Sequence, residues 1–181
     1  MSSELASRAE FILREQRELY QYWRACAQAR PIPLLNDIDP VKSIPNLLPG
    51  LSLIDVGKDF DSLKYRLAGT RVRDIYGAEI TGRAVFDIGF HHKRDYWRSV
   101  YRQILDMRIP MQGAVRGPAQ GREHIVLVWL RLPLSGAAGS VERILGHDAS
   151  IPVSVANVIQ GPAALSDNYG QHAAGRRKAL P

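Results

Sequence analysis

Two periodicities alternate along this chain, and their order predicts its architecture. Residues 4 to 29 contain neither proline nor glycine, and Leu5, Ala9, Ile12, Gln16, Leu19, Trp23 and Cys26 recur at alternating spacings of four and three, the seam of one long helix. Phe11, Leu13 and Tyr22 lie off that seam and widen its apolar surface. Such a helix needs cover, either from the domain's own sheet or from a second copy of itself. The next twenty residues are rich in proline. Asp39 is a natural cap for a brief helix that starts at Pro40, and Pro45 and Pro49 forbid anything longer. Ile38, Val41, Ile44, Leu47 and Leu48 give this connector something to bury, so it is expected to be an ordered bridge.

Beyond it the pattern turns to strands. Leu51 to Val56 is the first, Gly57 to Ser62 a polar turn, and Leu63, Tyr65 and Leu67 alternate with polar neighbours in a second strand that closes an antiparallel hairpin. Gly69 ends that strand and Thr70 is expected to cap a short helix in which Val72, Ile75 and Tyr76 share one side before Gly77 stops it; Thr81 and Gly82 punctuate a second short piece. These pieces re-aim the chain across the sheet face it has just left, which shapes a pocket. Asp95 to Met107 is a helix with an aromatic face of Tyr96, Trp97 and Tyr101. Met111 to Val115, His124 to Leu134 and Val141 to Ile151 complete five strands. The longest of them is apolar on both sides: Val126, Val128, Leu130 and Leu132 on one, Ile125, Leu127 and Trp129 on the other. Both sides need cover. The first set is expected to face the pocket and the second to face outward, beneath the first helix or a partner.

The predicted organisation is a helical segment over 1–30, a connector over 31–50, an α+β core over 51–152 and a disordered basic tail over 162–181. With 181 residues and 45% hydrophobic side chains there is material for one core. No apolar run approaches the ~20 residues of a membrane span, and the first ten residues lack a signal-peptide core, so a cytoplasmic protein is expected. Cys26 is the single cysteine, which excludes an internal disulfide. The net charge of +6 comes with acids interleaved among the cations, except at Arg176, Arg177 and Lys178. Without a basic face or an aromatic platform, nucleic acid is not the expected partner; a regulator that touches it through the tail stands as an alternative with salt-dependent binding.

The sequence offers little catalytic chemistry. There is no GxSxG elbow, HExxH pair or phosphate loop. Asp55, Asp59 and Asp61 sit at a hairpin tip, where carboxylates serve solubility. Glu123–His124 and His147–Asp148 are neighbours in strands and point to opposite faces. His91 and His92 precede the aromatic helix and could hold haem or a metal, but show no second ligand at ligand spacing; solvated loop histidines are the simpler reading. No catalytic residue and no cofactor is assigned. Tyr65, Val72, Tyr76, Phe86, Trp97, Tyr101, Val128 and Leu130 are the candidate lining of a ligand pocket, against the alternative that they fill the core without a void. Leu5, Ile12, Leu19 and Trp23 on the helix, with Ile125, Leu127 and Trp129 on the sheet, are the candidate interface. A small α+β enzyme acting on an apolar ligand in the same cavity remains an alternative.

The order helix, strand, strand, small helices, helix, strand, strand, strand is that of a PAS domain, and the wording agrees. Ile38-Asp39-Pro40, Leu47-Leu48-Pro49, Tyr65-Arg66-Leu67 before Gly69-Thr70-Arg71, Gly77 with Thr81-Gly82-Arg83, and Leu132-Pro133-Leu134-Ser135 before Ile144-Leu145-Gly146 resemble a bacterial PAS-like family of short single-domain proteins. The resemblance spans roughly residues 18 to 150. It implies a five-stranded antiparallel sheet with helices on one face, an N-terminal helix on the other, frequent dimerisation through that helix, and signalling by ligand or protein-partner binding. With the excess apolar surface of the helix seam and sheet, a homodimeric sensor that acts in trans without an output domain of its own is expected. It carries no general ligand and no catalytic role.

Overall fold

The computed structural model describes residues 13–89 and 93–155. Leu5 and Ile12, His91 and His92, and the basic tail lie outside them. The predicted strands and the helices at Pro40, Thr70 and Asp95 are present within a residue or two. The first helix begins at Arg14 behind an extended Leu13, its expected part over residues 4–12 lies outside the described residues, and the piece at Thr81 and Gly82 is a turn. Helix α1 runs Arg14–Ala27, α2 Pro40–Ser43, α3 Thr70–Tyr76 and α4 Arg94–Met107; strands are β1 Leu51–Asp55, β2 Lys64–Ala68, β3 Met111–Arg116, β4 Ile125–Ser135 and β5 Val141–Pro152. All pairings are antiparallel, in the order β2-β1-β5-β4-β3. The two termini of the core therefore meet at its centre, where β5 inserts between β1 and β4.

Helices cover both faces. On the inner face α3, α4 and the 3-10 turn Val85–Asp87 bury a cluster that includes Ile54, Tyr65, Ile75, Ile104, Leu127, Trp129 and Ile144. On the outer face Leu19 and Trp23 of α1, with Ile32, Ile44 and Leu47 of the connector, bury Leu51, Leu130, Leu132, Leu134 and Leu145. Each large apolar side chain so removed from water stabilises the fold by about 1.5–3 kcal/mol. Two polar bonds orient α1 on the sheet. The indole of Trp23 donates to the Pro133 carbonyl at 2.9 Å, and the buried amide of Gln16, the one polar residue in the seam, donates to the Val128 carbonyl at 3.1 Å.

Three expectations are corrected. Leu67 does not share the buried side of Leu63 and Tyr65 but is 53% exposed. The β1–β2 ladder carries a bulge: Ile54 pairs with Tyr65 while Leu53 pairs with Leu67, so Arg66 is the extra residue and parity reverses across it. Gly69 takes the N-cap position of α3 and Thr70 is already helical, with no side-chain cap. The larger correction concerns β4. Val128 and Leu130 were expected on the pocket side, and Ile125, Leu127 and Trp129 outside. The structure reverses them, with Leu127, Trp129 and, partly, Ile125 packed in the inner cluster and Leu130 under α1; Val128 shares the parity of Leu130. A strand apolar on both faces reads the same when turned over, so its own pattern does not choose.

The edge at β2 is closed by the segment after α3. Tyr65 N–H donates to Arg83 O at 3.0 Å, Gly82 N–H to Tyr65 O at 2.7 Å and Val85 N–H to Leu63 O at 2.9 Å. At the start of α3, Gly69 passes so close to the connector that a Cβ there would lie 2.4 Å from both the Leu48 and Pro49 carbonyl oxygens. Gly69→Ala is therefore expected to lower stability by about 1–3 kcal/mol, measured as a shifted urea midpoint at unchanged slope.

Candidate ligand site on the inner face of the sheet

The inner face is apolar except at its middle, where β4 and β5 place a charge each. Arg131 follows Trp129 by two and Asp148 pairs with Trp129 across the ladder, so both side chains project inward. Both are fully buried. The guanidinium grips the carboxylate through two bonds, Nη1 to Oδ1 at 2.7 Å and Nη2 to Oδ2 at 3.2 Å. Nη1 also donates to the Leu130 carbonyl at 3.0 Å, and Nε donates to the Tyr101 hydroxyl at 3.0 Å. The arginine Cζ lies 5.6 Å from the ring centre of Trp97 and 5.9 Å from that of Trp129, within cation–π range.

Space for this pair comes from a glycine. Gly146 sits opposite Arg131 in the ladder; a Cβ there would lie 2.4 Å from Ser52 Oγ and 3.1 Å from Arg131 Nη1. Ser52 Oγ is buried beside that gap and makes no hydrogen bond among the described residues. Three phenols complete the surroundings. Tyr65 and Tyr76 have their pKa pushed well up by burial, and, for Tyr65, by the neighbouring Tyr101 and Tyr76 hydroxyls. They stay protonated and uncharged at neutral pH. Burial opposes the charge on Arg131, but Asp148 and the tyrosine hydroxyls outweigh it and hold its pKa well above the usual value. The centre is thus a neutral ion pair with hydroxyls, inside an aromatic wall of Phe86, Tyr96, Trp97, Tyr101 and Trp129 joined edge to face or tilted at centroid distances of 5.1–6.3 Å.

Of the predicted lining, Tyr65, Val72, Tyr76, Phe86 and Tyr101 meet in the inner cluster, with Trp97 packed at its edge; Val128 and Leu130 do not join it. Leu127 and Trp129 take their place. Sequence reasoning missed Arg131, Asp148 and Ser52. The signal was Arg131 itself, a charge inside an eleven-residue strand otherwise nearly all apolar, which needs a buried partner.

A PAS domain family profile matches residues 13–148. The chain belongs to the PAS domain family. No curated protein matches it. Among solved structures, this PAS fold is similar to a light-oxygen-voltage domain studied with a flavin analogue, at 13% identity and TM-score 0.54 over 68% of this chain and 92% of that one. The dark structure of the blue-light photoreceptor Aureochrome1 LOV matches at 11% identity and TM-score 0.53, over 75% and 94% of the two chains. The Rhodobacter sphaeroides LOV protein matches at 17% identity and TM-score 0.47, over 59% of this chain and 61% of that one. At these identities the likeness is one of fold. Cys26, the only cysteine, lies on α1, which packs on the outer face of the sheet. Among the described residues no group of three or more His, Cys, Asp or Glu is placed to hold a metal, and no helix is long and apolar enough to cross a membrane.

Removing one partner of a buried ion pair strands the other. Asp148→Leu and Arg131→Met are each expected to cost about 3–5 kcal/mol, and the double variant Arg131→Met/Asp148→Leu less than the sum of the singles. Urea denaturation of the four proteins measures this.

Proposed function

We propose that this PAS domain is a sensory module that binds a small, uncharged, hydrogen-bonding ligand on the inner face of its sheet and signals in trans to a protein partner. The observation that carries the reading is the unpartnered Ser52 hydroxyl beside the closed Arg131–Asp148 pair. A buried hydroxyl with no bond is costly to leave unmade, and a ligand donor or acceptor at Ser52 would complete it. The pair has no net charge to offer, which disfavours an ionic ligand, and the aromatic wall suits a flat or apolar body. PAS domains are typically sensory and commonly mediate protein interactions and dimerise, and a cytoplasmic homodimer fits this role.

The described residues expected at the interface are covered within the single chain. Leu19 and Trp23 are buried against the chain's own sheet, and Leu127 and Trp129 face inward. A partner or second copy would reach Leu19 and Trp23 only with α1 displaced, and Leu127 and Trp129 lie on the other face, in the cluster covered by α3 and α4. An enzyme acting at the same inner face is favoured by one observation, that the interior is polar at its centre. Against it, Arg131 and Asp148 are spent on each other, burial raises the pKa of Tyr65 and Tyr76 far from the working pH, and Ser52 has no base hydrogen-bonded to it among the described residues.

Native mass spectrometry of freshly purified protein is expected to show a small molecule bound. Ser52→Ala should keep the fold and weaken that binding about 2–10-fold, the worth of one hydrogen bond. A wild-type protein that carries no small molecule, and whose melting temperature no uncharged aromatic compound raises, would overturn the ligand reading.

A further inference from the structure

A second buried polar group lies on the other face of the same strand. His147 is fully buried, and neither of its ring nitrogens has a hydrogen-bond partner among the described residues. It pairs with Leu51 and Leu130 in the ladders and so projects outward, under the first turn of α1. The backbone closes on it from the connector: a Cβ on Gly50 would lie 2.7 Å from His147 Nε2. From α1, Glu15 Oε2 stands 3.4 Å from the same nitrogen, and from α3 the Arg71 Nη1 holds that oxygen at 2.6 Å. Asp148 and Arg131 are the charged groups behind it, on the inner face of β5 and β4. The next residue of α1, Gln16, is the one anchored to Val128. The ring therefore sits dry at the point where the helix meets the sheet.

We propose that His147 is a proton-operated latch for α1: uncharged, it lies packed beneath the first turn of the helix, and on gaining a proton it frees that turn from the sheet. This does not depend on the inner face binding a ligand. The direction follows from the surroundings. Burial, the largest influence, disfavours the imidazolium; Asp148 and Glu15 favour it, while Arg71 and Arg131 oppose it, and the balance lowers the pKa of His147 below its ordinary value. With α1 lifted and the ring in water the ordinary value returns. The lifted state therefore takes up the proton first as pH falls, and docking that is complete above the usual histidine range is lost on going below it. The seam residues Leu19 and Trp23 would then become available.

The test is hydrogen–deuterium exchange on the full chain from pH 7.5 to 5.5, corrected for the intrinsic pH dependence of exchange. Amides of residues 14–27 are expected to exchange faster relative to those of β4 as pH falls, by at most about tenfold per pH unit, the ceiling for one proton. His147→Gln should remove the pH dependence. Glu15→Gln, at a half-exposed position, should enlarge the total acceleration, because it removes a charge that favours the docked imidazolium; it carries the test if the histidine variant does not fold. Exchange in α1 that is flat or slows as pH falls, a pH response that survives His147→Gln, or a smaller response in Glu15→Gln would overturn the proposal.

Discussion

Strand β4 has apolar side chains on both faces over most of its length, and a sheet built around it is stable only when both faces are covered. The rest of the architecture follows from that demand. The inner face takes α3, α4 and the turn between them, and the outer face takes α1 and the proline-rich connector, which Ser135 also ties down through its N–H and hydroxyl on the Pro33 carbonyl. Neither cover is optional: without α1 the leucines of alternate β4 positions would stand in water, a patch large enough to seek another partner. A helix held by this need, and by polar bonds to the sheet and to Arg71, is also a helix whose release would uncover the leucines of β4.

The two faces are linked through consecutive residues. Leu130 points to α1 and Arg131 to the inner face; His147 points to α1 and Asp148 to the inner face. An event that shifts the Arg131–Asp148 pair therefore acts on peptide groups that also carry the seat of the first helix. Interiors at crystal density transmit such shifts instead of absorbing them. This is the physical route by which a domain with recognition on one side of a sheet can change what it presents on the other.

Local chemistry in this chain was legible where a residue acts alone. Asp39 caps α2 and accepts from the Lys42 N–H, with Pro40 in the first turn; Gly77 ends α3 in the left-handed conformation its lack of a side chain permits. The strands and the long helices announced themselves through period two and period 3.6. The resemblance to PAS domains, resting on the order of those elements and on short phrases at their junctions, agreed with the family whose profile matches residues 13–148. The candidate lining was legible in part, because α3 and α4 each have only one apolar side to turn inward.

The sequence by itself determined the elements, their order and the need to cover both faces of β4, because periodicity and turn chemistry act over a few residues. Which face of β4 looks inward, and where Leu67 ends up, only the tertiary structure decided. A strand apolar on both sides carries no preference of its own, and a single bulge residue at Arg66 reverses parity without leaving a mark on the pattern. The same holds for Arg131 and Asp148, seventeen residues apart, and for His147 beneath Glu15. Their meaning is a matter of which neighbour the register brings opposite, and register is settled by the packing of the whole sheet.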